Sequence, residues 1–173
     1  SDLENKLDGE TIYQALHMKQ QDAIKHLIRK EITGFIFVGT PESLFLIEAA
    51  KTEGNSGKYK SKVRLIPKTE TVVRTNHGIE LPWAGFQYGV NEQQDFRRRS
   101  SESRKEIGEK VLQNAKTPVE MLDALASRNV DDLQMNIFRV ISKPRQMRTI
   151  FQWALIPSAD TAIIRDRKST RLN

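Results

Sequence analysis

Two short apolar runs separated by a four-residue turn constrain this chain most. Gly-Phe-Ile-Phe-Val-Gly occupies positions 34–39, Thr-Pro-Glu-Ser follows, and Leu-Phe-Leu-Ile-Glu-Ala-Ala occupies 44–50. Apolar runs of strand length, bounded by turn formers and placed in tandem, predict an antiparallel hairpin. They are also the longest apolar runs in the sequence. A membrane-crossing helix needs about 20 such residues, so no membrane span is expected. The chain has 173 residues, enough for one domain with a sizeable core. Its 38% hydrophobic and 29% charged content is that of a soluble globular chain rather than a disordered one.

The remaining pattern alternates helix-like and strand-like stretches without a repeat. Over 10–30, Ile12, Ala15, Leu16, Ala23, Ile24, Leu27 and Ile28 recur at helical spacing and predict one helix. The segment 62–75 is β-rich on both sides of Pro67. A loop is expected over 77–97, then a helix opened by Ser100 and Ser101 and carrying Ile107, Val111 and Leu112. Thr117 as cap, Pro118 at the first helical position and Glu120 closing a capping box mark the clearest helix start. The last third reads as strands, at 135–142, over 148–157 and over 162–165, with a Ser-Ala-Asp-Thr turn before the last. Runs of strands and paired helices in this order predict α+β layers. Neither glycine-containing loop, at 39–45 or at 54–61, has the spacing of a phosphate-binding loop.

The chain has no cysteine, which excludes disulfides and thiolate metal sites within it. His17, His26 and His77 are scattered, and no metal or cofactor is implied. The formal charge of +6 invites a nucleic-acid reading. The last eight residues weaken it. Asp166 to Asn173 is the translation of GAT CGG AAG AGC ACA CGT CTG AAC, a common sequencing-library adapter, so 166–173 is expected to be carried-over artefact and the natural domain to occupy 1–165. Without Asp166, Arg167, Lys168 and Arg171 the chain keeps 25 basic and 21 acidic residues, a charge of +4.

The stretch with the most chemistry is 72–89, Val-Val-Arg-Thr-Asn-His-Gly followed by a Pro-Trp, aromatic-rich loop. Read by itself, Asn76-His77-Gly78 is either a site at a strand end or an ordinary turn. Together with the Ser-Ser-Glu-Ser-Arg run at 100–104 and the strand pair over 149–165, it resembles the second half of an N-terminal-nucleophile hydrolase. The similar group comprises choloylglycine hydrolases, penicillin V acylases and isopenicillin N acyltransferases, and more distantly acid ceramidases. The resemblance covers most of 32–165. It implies a part of a four-layer αββα sandwich with antiparallel sheets, and a hydrolase of linear amide C–N bonds or an acyltransferase. It also implies roles: Asn76 matches the oxyanion asparagine, Arg104 the arginine of the Ser-Ser-x-x-Arg stretch, with Arg98 its rival, and His77 a supporting Asn-His variant. Trp83, Phe86 and Tyr88 would line an acyl or aromatic pocket for a small amide or acyl substrate.

The chain departs from that family at the nucleophile, an N-terminal cysteine followed closely by an arginine and an aspartate. Ser1 opens a polar, acidic stretch rather than an apolar strand, so the nucleophile is expected upstream and the chain by itself is expected to be inactive. A signal peptide would lie upstream too, which leaves bacterial cytoplasm, periplasm and secretion open. A homo-oligomer is also left open. The competing readings are a nucleic-acid-binding module using the basic segments 58–64 and 97–105, and a domain that kept the fold without the chemistry. Arg97, Arg98 and Arg99 also read as a solvated face, Trp83 as core, and Glu48, at the end of its strand, as a surface or structural carboxylate.

Overall fold

The computed structural model describes residues 8–52, 57–126, 151–156 and 161–166, the last two stretches as backbone. Among the described residues it is a mixed α and β protein with four helices, a three-stranded antiparallel sheet and a separate antiparallel strand pair. The chain divides into two compact units. One comprises Ser1–Glu70 and His77–Gln87, the other Thr71–Asn76 and Tyr88–Asn173.

The first unit begins with α1 (Gly9–Leu16) and α2 (Gln20–Arg29), where one helix was predicted. The break has a local cause. The His17 ring Nδ1 donates to the Tyr13 carbonyl at 2.7 Å, occupying the acceptor that the His17 backbone N–H would use in a continuing helix. That N–H turns to Gln14 O instead, a tighter three-residue closure. Asp8 caps α1 by accepting from Thr11 N. The far end of α2 closes as a Schellman motif: Ile32 N donates to Leu27 O and Glu31 N to Ile28 O, with Glu31 at φ 52°.

The predicted hairpin is present. Strand β1 (Gly34–Gly39) pairs antiparallel with β2 (Leu44–Lys51), and β2 with β3 (Tyr59–Ile66), in the order β1-β2-β3. The start of α2 is fastened to the hairpin turn by Gln20, whose amide donates to the carbonyls of Val38 and Ser43. Ile24 and Leu27 of α2 pack with Ile32, Ile47 and Ala49 to form the core on one face of the sheet. Leu46, Ile47, Glu48 and Ala49 are buried in succession, so β2 is covered on both faces.

The strand expected beyond Pro67 is not formed. β3 ends at Ile66, and Val72 to Thr75 lie outside any ladder. Thr75, at the end of this segment, hydrogen-bonds to a helix instead, as described below. That helix, α3 (Glu92–Leu112), begins at Asn91, which caps it by accepting from Gln94 N, and not at Ser100. The Asn-Glu-Gln-Gln start is a capping pattern of its own, so the loop is shorter than predicted. α4 (Pro118–Ala126) starts as read from sequence: Glu120 N donates to Thr117 Oγ1, and Glu120 Oε2 accepts from Lys116 N. β4 (Phe151–Ile156) and β5 (Thr161–Asp166) pair antiparallel, where two strands were predicted. The strand expected at 135–142 lies outside the described residues, as do 158–160 of the expected Ser-Ala-Asp-Thr turn and residues 167–173, while Thr161 opens β5.

Candidate active site

Thr75 and Asn76 are held by the middle of α3, and the contacts all fall in the second unit. Thr75 Oγ1 donates to Ser101 O at 2.8 Å, Ser101 Oγ donates back to Thr75 Oγ1 at 2.9 Å, and the Asn76 backbone N–H donates to Ser101 Oγ at 2.7 Å. Ser101 is fully buried. The segment before the Asn-His-Gly turn is therefore fixed without a strand partner, because one serine accepts and donates where a ladder would.

One turn further along α3, Arg104 Nε donates to Ser100 O at 3.1 Å and one terminal nitrogen donates to Asn76 Oδ1 at 2.9 Å. Arginine carries only donors. The end of the Asn76 carboxamide facing it must be the oxygen, so the NH2 end faces away from the guanidinium. The Asn76 side chain sits at an exposed position. A carbonyl oxygen bound by a cation also polarises its amide and strengthens the N–H donors at the other end. The arrangement is an oriented, neutral, two-hydrogen donor on a rigid support.

No protein-family model matches this chain, and neither a curated protein nor a solved structure does.

Sequence reasoning named both residues but misplaced their supports. Asn76 does not end a strand, and Arg104 is not at a helix start, since twelve residues of α3 precede it. Arg98 takes a different position on the same helix. Its Nε pairs with Glu102 at 2.7 Å, and its guanidinium lies 5.7 Å from the centre of the Tyr88 ring. The Tyr88 hydroxyl donates to the other Glu102 oxygen. That bond, then burial, then the nearby negative charge push the Tyr88 phenol above its ordinary value. Tyr88 is 51% exposed and joins a surface cluster with Arg98 and Glu102.

His77, Trp83 and Phe86 belong to the first unit. His77 is buried and forms an isolated antiparallel bridge with Gly85, reinforced by a bond from Gly78 N to Ala84 O at 2.8 Å. Gly78 is required there because a Cβ would lie 1.9 Å from Leu81 O. Trp83 stands 46% exposed at the tip, so it is not core, and Phe86 is half-buried.

Of the two readings of Glu48, the structural carboxylate holds, though within its strand rather than at the end of it. It is 1% exposed, opposite Phe35 and Lys62 in the middle of the sheet, and its Oε1 accepts from Ile79 N at 2.8 Å and Leu81 N at 2.9 Å. A carboxylate inside an apolar strand is costly unless hydrogen-bonded. Here two backbone donors meet it and pin the Trp83-bearing turn to β2. The signal was a single acid within Leu-Phe-Leu-Ile-Glu-Ala-Ala. Among the described residues no three of His, Cys, Asp and Glu gather as a metal-ligand set, and no helix is long and apolar enough to cross a membrane.

Proposed function

We propose that this chain is the oxyanion-stabilising part of an N-terminal-nucleophile amidase or acyltransferase, similar to the choloylglycine hydrolase and penicillin V acylase group. The cysteine nucleophile would be carried by sequence outside it, and the four-layer αββα sandwich belongs to the same proposal. The observation that supports the reading is the Arg104-to-Asn76 bond, which orients the Asn76 NH2 away from its support.

In that chemistry the thiol attacks the substrate carbonyl and the α-amine of the same residue takes its proton. The carbonyl oxygen becomes an oxyanion, which the Asn76 amide would meet. Arg104 acts through Asn76 as a positioning residue, and so does Ser101, which holds the Asn76 backbone. Losing one oxyanion donor costs about 3 kcal/mol in the barrier, roughly a hundredfold in kcat. The substrate would be a small amide or acyl compound, with Tyr88, in the same unit as Asn76, as a candidate for contacting its apolar part.

The basic run 97–105 gives the nucleic-acid reading little support. Arg98 pairs with Glu102, Lys105 with Glu109, and Arg104 with Asn76.

The test is to recover the genomic sequence upstream of Ser1, express the joined frame and assay it on a panel of acyl amides. A cysteine opening an apolar strand, with turnover that Asn76→Ala lowers about a hundredfold at little changed KM, is the expected result. A joined frame with no such cysteine, or Asn76→Ala with unchanged kcat, would overturn the proposal.

A further inference from the structure

The outer strand of the three-stranded sheet has two chemically different faces, and both are uncovered. Residues paired across antiparallel strands share a face. Lys60 and Lys62 stand opposite Ala50 and Glu48, whereas Val63 and Leu65 stand opposite Ile47 and Phe45 on the face that α2 covers elsewhere. Val63 is 43% and Leu65 54% exposed, large values for residues beside the core. Lys60 and Lys62 are exposed too, and neither takes part in an ion pair among the described residues. β3 ends the sheet, with β2 on one side and no described strand on the other.

We propose that this edge takes up an extended peptide in which acidic and apolar residues alternate. A strand added to β3 would satisfy the outward N–H and C=O groups of the edge. Its side chains would fall on the two faces in turn, about 6.8 Å apart on each. Acidic residues would lie beside Lys60 and Lys62, and apolar residues would cover Val63 and Leu65. Charge and hydropathy are then complementary on both sides at once.

A second copy of β3 is a poor occupant. Antiparallel pairing about a two-fold axis would bring the lysine face against itself, and like charges directly opposite are destabilising. The same lysines that keep identical edges apart select a partner of opposite sign. A single-stranded nucleic acid would want aromatic rings beside the cations for its bases to stack on. β3 itself carries no exposed aromatic on that face, and Phe37, the exposed aromatic of the sheet there, lies on β1, beyond β2.

The experiment uses the full chain and an acetylated, fluorescently labelled heptapeptide alternating glutamate and valine, followed by anisotropy. Saturable binding that weakens with added salt is expected. The double variant Lys60→Glu/Lys62→Glu should weaken it on the order of tenfold or more. The same peptide N-methylated at alternate residues should not bind, because its ladder is blocked. Circular dichroism of the double variant checks that the exposed substitutions leave the fold intact. Binding that ignores the charge reversal or the N-methylation would overturn the proposal. So would absence of peptide binding while an oligothymidylate or anionic phospholipid vesicles bind through Lys60 and Lys62.

Discussion

The Asn76 amide shows how much one hydrogen bond can decide. Its oxygen is fixed by Arg104 and its backbone by Ser101, so two residues of one helix set both ends of the group. Ser101→Ala removes the acceptor of the Asn76 N–H and the donor to Thr75 in a fully buried place. A loss of about 2 kcal/mol is expected in urea unfolding, while Ser101→Thr, which keeps the hydroxyl, should recover part of it. Glu48→Ala should cost more, about 3 kcal/mol, because it leaves two backbone donors without their acceptor and opens a cavity behind Leu81. The Tyr88 phenol is raised above its ordinary value, mainly by donating to Glu102. The interaction that depends on its proton is therefore present below the unfolded-state value and lost as pH rises through the folded one. An ultraviolet titration should show Tyr88 ionising later in the wild type than in Glu102→Gln.

At the scale of elements, the carboxyl of Asp8 is held below its ordinary value, chiefly by the Thr11 backbone N–H and then by the Thr11 side chain. Its cap is present above the unfolded-state value and is lost as pH falls through the folded one. The amide resonance of Thr11 should report α1 fraying at its start on acidification, and Asp8→Asn should make that resonance insensitive to pH. At the other end of the helical pair, Glu31 occupies the left-handed position of the Schellman motif. Glu31→Gly should gain about 0.5–1 kcal/mol in stability, less whatever the ion pair with the largely covered Lys51 contributes. The elements also show what sequence could and could not give. The hairpin and α4 were legible because their signals are local: turn formers between apolar runs, and Thr-Pro-x-Glu at a helix start. The break between α1 and α2 was not, because a ring nitrogen competing for a carbonyl leaves the apolar stripe unchanged. The start of α3 was hidden because the two serines are an attractive cap. Both lie inside the helix, where Ser101 serves Thr75 and Asn76 and Ser100 accepts from Arg104, which no periodicity reveals.

On the scale of the whole molecule, a resemblance named Asn76 and Arg104 as separate matches, and the hydrogen bond between them was not among its expectations. The bonds from Ile79 and Leu81 to Glu48 lie in the first unit, and those that Ser101 makes with Thr75 and Asn76 lie in the second. The double variant Glu48→Ala/Ser101→Ala should therefore lose the sum of the single losses to within about 0.5 kcal/mol. A larger departure in denaturant unfolding would mean that the two supports act as one.

The division into units has a consequence for inheritance. The chain enters the second unit at Thr71, returns to the first at His77 and leaves it again at Tyr88. Neither unit is a continuous stretch of gene. Neither can be duplicated, fused or exchanged by a single recombination, and each must accept substitutions in the company of the other. Asn76 and His77 are neighbours in the codon order yet belong to different units, so a substitution at either is carried along with both.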